Sequence, residues 1–552
     1  MKKTSLLVTM LVAGMSLTLA GCNSNGGFSD KNLVQINPYE YETTYRSMRI
    51  NGSGYAGEQF TEHVNENGQK KYVIEDVKAL VIPVDFTDYP GSALPLGEEG
   101  TRQELQTLMF GDEGETEWYS LKGYYESSSF GQCHISGTVG DWWHVDNTAK
   151  GYMKECSSST SPGGTVGSQK VAIAIQDYYR KQYGLAKLNE DKEAMAKYDL
   201  TQYDANQDGF VDSLILIYAA PITTTGELFW AFCWSISGAY GKYKPELEGV
   251  NRFFWASYWF FYDNYLNHGN KDPKTGFTII PNELPGNIVN GTAKPDVHTM
   301  THEYGHVLSL PDYYITDYNT SDYDGLGYLD MMDYNIGDHN AMSKSWYGWI
   351  NPYYVKGSVK ATIRSTTKTG DTIIIPIGGQ YKNTLMDQYI MIEFLTPEGV
   401  AKYDGEHQFG GNYPLYYSQA GIRVTHVDAR LGVFNYNTTT GEYKFTGFTV
   451  STSRPTNGYV STACSNTASD SCFKNYKLIE ILPRQGKSIK YFGASTNEML
   501  FQEGDKFGGS DGIWPNYMMH DKVGTSTEAL GFKFEITKIN GMESAEITFT
   551  KL

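Results

Sequence analysis

The stretch "THEYGHVLSLPDYY" (residues 301–314) has residue types and spacing suited to metal chemistry. His302 and His306 are four apart, so on a helix both imidazoles lie on one face and can bind one ion. Glu303 directly follows the first histidine, in the position of a general base that reaches a metal-activated water without ligating the metal. Two ordinary histidines on an amphipathic helix would give the same letters, so the surroundings must decide. A catalytic zinc site needs a third protein ligand and an open position. Asp312 stands six residues beyond His306, and Ser309 and Pro311 can turn the chain so that its carboxylate returns to the metal.

A second constellation is "DANQDGFVD" (204–212). It places oxygens at loop positions 1, 3, 5 and 9 and Gly209 at position 6, the pattern of an EF-hand-like calcium loop. Asp204, Asn206, Asp208 and Asp212 would bind Ca2+ by side chains and Phe210 by its carbonyl. Position 12 is Ile215, so the bidentate glutamate is missing, and a strand follows instead of a helix. The expectation is a structural calcium site, weak or completed from elsewhere; a solvated acidic turn is the alternative.

The elements around these motifs are mixed. "VKALVIPVDF" (77–86) and "SLILIYAA" (213–220) read as buried strands. Residues 121–131 read as a helix followed by a strand, and 168–184 as a helix with Gly184 at its C-cap. The site helix should run from about Asp296 to Leu308. The aromatic run 253–266 and Trp230 and Trp234 are expected to be buried rather than to line a cleft. From about Lys356 the chain becomes short β-type runs with Gly, Asn and Asp turns, a β-sandwich-like region. His426 and Asp428 there are read as structural. The fold class is α/β (α+β), with a catalytic domain over 71–355 and a β-rich C-terminal region over 356–552.

Residues 1–21 carry Lys2, Lys3 and an apolar run ending in "LAGC". This is a secretion signal resembling a bacterial lipobox, which implies lipid on Cys22 and a membrane anchor outside the cell. Residues 22–70 would be a tether or short pro-segment. Five further cysteines remain, of which Cys464 and Cys472 lie in one polar loop they could close. The net charge of −18 and the lack of Lys/Arg clusters argue against a nucleic-acid partner. Hydrophobic residues at 40% exclude a disordered chain, and 58 glycines with 43 tyrosines favour strands and turns. A phosphate-binding GxxxxGK[ST] loop is missing, which argues against P-loop chemistry.

"LDMMDYN" (329–335) resembles the Met-turn beneath the zinc of metzincin-type peptidases, with Met332 under the metal and Tyr334 as an oxyanion donor. Core packing would also account for the methionines. Several segments, "ALVIPVDFTD", "YYESSSFGQCHISGTV", "HEYGHVLSLPDYY" and "NAMSKSWYGWINPYYV", are similar in kind and order to those of the immune inhibitor A family of secreted bacterial zinc metallopeptidases. The resemblance covers roughly 75–435. It implies that His302, His306 and Asp312 bind zinc, that Glu303 is the base, and that the substrates are extracellular proteins or peptides. The family usually has glycine where Ser309 stands. A serine must pay to enter the left-handed turn toward the third ligand, and Asp317 is the substitute if it does not. Two other readings remain: a catalytically silent surface adhesin or binding lipoprotein, and a mucin-type protease whose C-terminal region binds glycans.

Overall fold

A computed structural model describes residues 31–39, 59–112, 114–156, 200–235, 252–316, 323–407, 409, 413–453, 455–467, 477–522 and 525–552. Cys22, the expected helix 168–184, Asp317 and Cys472 lie outside these residues.

The N-terminal half is organised by a six-stranded sheet. Strand Asp76–Phe86 pairs in parallel with His134–Val139 and Trp143–Val145 on one side and with Ser213–Tyr218 on the other. Ser213–Tyr218 pairs in parallel with Arg252–Ser257, and Phe232–Ser235 closes the edge antiparallel to that strand. The central strands read as unbroken apolar runs because both faces are covered; all six residues of Ser213–Tyr218 are buried. The site helix, His298–Val307, packs against the last two strands, Arg252–Ser257 and Phe232–Ser235.

The second half is built mainly on two further sheets, with a three-stranded and a two-stranded sheet beside them among the described residues. One has six strands in the order Leu33–Gln35, Tyr353–Val355, Thr372–Pro376, Gln388–Leu395, Gly421–Asp428 and Ile479–Ile481. The other joins Val359–Arg364, Ser544–Lys551, Phe532–Asn540 and Lys506–Phe507. Ile363, Ile375, Ile392, Val424, Phe534 and Ile547, drawn from both sheets, share one core. The chain is thus a mixture of helix and sheet.

The described parts of the segment expected as tether are framework. Leu33–Gln35 is an edge strand on Tyr353–Val355, and the hairpin Phe60–Val64/Lys70–Ile74 is tied to the helical region by Ile74 N–H donating to the Tyr347 carbonyl at 3.0 Å. Alternating buried positions in short strands are a weak sequence signal, so these were not separable from a polar linker. The aromatic run is buried over Phe253–Phe254–Trp255 and Phe261–Tyr262, but Phe260 and Asp263 reach a cleft. Trp230, also expected to be buried under a loop, lines the same cleft. His426 lies buried on the second sheet.

Candidate metal centre

The site helix is held at both ends and along its length. Asp296 accepts from the His298 N–H at 3.1 Å and from His298 Nδ1 at 2.8 Å, which satisfies an otherwise open donor at the N-terminus. Mid-helix, Tyr125 donates to the Thr301 carbonyl at 2.8 Å and Tyr347 to the Gly305 carbonyl at 3.1 Å. At the C-terminus Arg252 Nη1 donates to the Val307 carbonyl at 2.7 Å. A cation there complements the helix dipole.

Past the helix the chain makes a Schellman turn: Ser309 N–H donates to the His306 carbonyl at 2.8 Å and Leu310 N–H to the Gly305 carbonyl at 3.0 Å. The turn requires a left-handed residue, and Ser309 adopts it with φ 81°. Glycine would do so without strain; serine does so at a cost of about 1 kcal/mol. The turn aims Asp312 back at the helix.

Three ligand atoms converge as a result. Asp312 Oδ1 lies 3.1 Å from His302 Nε2 and 3.0 Å from His306 Nε2. Tetrahedral zinc with bonds of roughly 2.0–2.2 Å sets its ligand atoms about 3.3 Å apart, so the spacing fits. The other ring nitrogens are committed: His302 Nδ1 donates to the Met331 carbonyl at 2.8 Å, and His306 Nδ1 to the Leu310 carbonyl at 2.8 Å. In the neutral rings this leaves both Nε2 lone pairs facing a carboxylate. Three acceptors meeting at one point need protons or a cation between them. In the metal-free protein protons serve: burial opposes charge on His306, but the Asp312 carboxylate outweighs it and raises the pKa to about 9. Asp312 itself is depressed: burial pushes it up, but the His306 charge and the hydrogen bonds from both rings overcome it. The residues fit a zinc ion.

Glu303 is buried beside them. Burial raises its pKa, the two histidines pull it down, and it accepts a hydrogen bond from the Cys233 N–H on the edge strand. Beneath the helix, a Cβ on Gly305 would lie 2.3 Å from Met332 Sδ, so glycine at this position lets the methionine turn sit directly under the two histidines. The His302–Met331 bond ties the same turn to the metal-binding ring. Tyr334, at the end of the short helix Met331–Tyr334, is 46% exposed and sits edge-on to Tyr328 with ring centroids 5.1 Å apart.

A cleft of about 780 Å³ opens on this centre, lined by His302 and Glu303 among others. Sequence reasoning missed several of its walls. Tyr314 stacks on His302 at 6.1 Å, and Tyr413 reaches Thr299 of the site helix at 3.1 Å. Tyr413 belongs to the C-terminal region, as does Asp404, which holds His298 Nε2 at 3.1 Å. These contacts cross more than a hundred residues, and no local pattern announces them.

The acidic loop is arranged differently. Asp204 accepts from the Asp208 and Gly209 N–H groups at 3.1 and 2.8 Å, Asp208 from Phe210 N–H at 2.9 Å, and Asn206 from Asp208 N–H at 3.2 Å. Asp212 turns inward to the Lys78 N–H at 2.8 Å. The Asp204, Asp208 and Asp212 carboxylates do not form a cluster with all ligand atoms within 4.8 Å of one another, as the helix site does.

Comparison with known proteins points to a metallopeptidase family. Residues 62–235 match the family described as Immune inhibitor A peptidase M6, catalytic domain. The match spans the central strands and Cys233 but ends before the site helix. The chain is 25% identical over 262 residues to Immune inhibitor A of Bacillus thuringiensis subsp. alesti, covering 44% of this chain and 34% of that protein. It is 25% identical over 259 residues to Pre-pro-metalloprotease PrtV of Vibrio cholerae serotype O1 (strain M66-2), covering 44% of this chain and 25% of that protein. The matched part is about a third or less of the length of these relatives. Over its matched residues the chain is similar to the immune inhibitor A-like peptidases.

Proposed function

We propose that this chain is a zinc endopeptidase acting on extracellular proteins or peptides. The observation that carries the reading is the meeting of His302 Nε2, His306 Nε2 and Asp312 Oδ1 at one point, beside a cleft lined by His302 and the buried Glu303. Zinc held there supplies a Lewis acid that polarises the scissile carbonyl. Glu303 takes a proton from the attacking water and gives it to the leaving amine. Its raised pKa suits both steps, since a base poised nearer neutral pH can also act as an acid. Met331 and Leu310 hold the histidine rings through their carbonyls, fixing the tautomer that ligates. The exposed Tyr334 side chain at the cleft supports a role as donor to the developing oxyanion.

The catalytic unit has the character of a zincin, with the site helix under an antiparallel edge strand and a methionine turn below. Residues 1–21 export the chain and Cys22 carries a lipid that anchors it outside the cell. Calcium at Asp204–Asp212 belongs to the same proposal as a weak structural ion.

The test is digestion of denatured casein by the zinc-loaded protein beside Glu303→Ala. The reading predicts cutting by the parent and a loss of at least about a thousandfold in the variant with zinc still bound. Equal cutting by both would remove Glu303 as the base, and no cutting by a zinc-loaded parent would favour the silent binding protein.

A further inference from the structure

The cleft residues that zinc chemistry does not use are strongly one-sided in charge. Its described lining includes Asp263, Asp324 and Asp333 besides Glu303, and no lysine or arginine. Asp263 is already engaged by His268 Nε2. Asp333 is not fully engaged. It is 2% exposed, and its Oδ2 accepts from the Tyr328 N–H at 3.0 Å, but its Oδ1 is buried with no hydrogen-bond partner. An open buried carboxylate oxygen is costly unless something fills it. Asp324, 8% exposed, stands on the same wall and accepts from the Ile315 N–H at 2.9 Å. Between them Tyr328 is held left-handed at φ 71°, a strained conformation of the kind that gathers at binding sites.

This wall is fixed to the metal centre from two sides. Ile315 follows Tyr314, whose ring stacks on His302. Asp333 follows Met332, the residue packed beneath Gly305. The two carboxylates do not belong to any described group with three ligand atoms within 4.8 Å, so they are not arranged as a second metal site. We propose that Asp333 and Asp324 form a subsite for a lysine or arginine side chain of the peptide substrate, at a fixed position next to the scissile bond. The ammonium or guanidinium fills the open Oδ1 of Asp333, and the Tyr328 ring covers the aliphatic stem. The proposal rests on the peptidase reading for its substrate class.

Two measurements test it. In the first, the zinc-loaded protein and Asp333→Asn digest a mixed peptide library. Asparagine keeps the shape and can still accept from Tyr328, but it removes the charge. The parent should enrich Lys and Arg at one position relative to the cut. The variant should lose roughly tenfold or more in kcat/KM on a lysine peptide relative to its norleucine twin. The second uses Glu303→Ala, which needs no turnover: a fluorescent Ala/Gly octapeptide with one lysine should bind roughly tenfold tighter than the norleucine twin, and adding Asp333→Asn should erase the difference. No basic enrichment together with equal binding overturns the subsite while cleavage itself upholds the peptidase. Preferential lysine binding without cleavage by the parent upholds the subsite and overturns the peptidase.

Discussion

The site helix and the acidic loop both present ligand-type residues at suggestive spacing, yet they arrange them in opposite ways. At the helix, His302 and His306 commit Nδ1 to backbone carbonyls and leave Nε2 open toward Asp312. At the loop, Asp204, Asp208 and Asp212 spend carboxylate oxygens on backbone N–H groups within or beside the loop. The first arrangement has acceptors facing acceptors and is unstable without a cation or protons. In the second, the named oxygens already accept backbone hydrogen bonds, so an ion would add to them rather than fill a gap. Spacing nominates a site, and what the remaining polar atoms do determines whether an ion is needed.

The largest effect expected on breaking this comparison is at the helix. Replacing His302 and His306 by alanine should abolish zinc binding and casein cutting together, checked by metal analysis and digestion. The same treatment of the loop, Asp208→Ala, should leave zinc and cutting in place.

A second effect lies at the foot of the helix. His298 is fully buried between Asp296 and Asp404 and sandwiched by Trp118 and Tyr413. Burial opposes its charge, but the two carboxylates prevail and raise its pKa to about 9. The folded value lies above the ordinary 6.5, so this ion cluster stabilises fully below about pH 6.5 and the contribution is lost as pH rises through about 9. The full contribution is about 3 kcal/mol at the ordinary value of one pKa unit per 1.36 kcal/mol. Denaturant midpoints measured from pH 6 to 10 should fall over that window, and His298→Gln should flatten the fall.

Smaller effects sharpen the packing. Gly305→Ala should cost about 1–3 kcal/mol, because Met332 must move within a packed core. Ser309→Gly should add about 0.5–1 kcal/mol by relieving the left-handed strain, with zinc affinity unchanged or improved. The smallest effect is at the loop: chelator added to a zinc-depleted protein should lower the melting temperature by a few degrees if calcium holds Asp204–Asp212. An unchanged transition in both the parent and Asp208→Ala would leave the loop as an acidic turn.

How much of this was legible in the sequence follows from the range of each signal. The mixed helix-and-sheet class was legible because unbroken apolar runs such as Ser213–Tyr218 carry it locally. The helix of His302 and His306 was legible because its period is local too. The serine at 309 raised a specific doubt, and the observed φ of 81° shows the serine taking the left-handed turn. What was not legible is long-range. The strand Leu33–Gln35 finds its partner at Tyr353–Val355, and Asp404 reaches His298 across the expected domain boundary. Trp230 was misassigned because burial and cleft-lining differ only in what the neighbouring loop does.

The most direct test of the central claim is metal content after gel filtration, measured for the parent, Glu303→Ala, Asp312→Ala and His306→Ala. The account predicts about one zinc per chain in the first two. It predicts a loss of affinity of at least about a hundredfold in the last two. Full zinc occupancy in Asp312→Ala, with affinity unchanged, would contradict it and remove Asp312 from the centre.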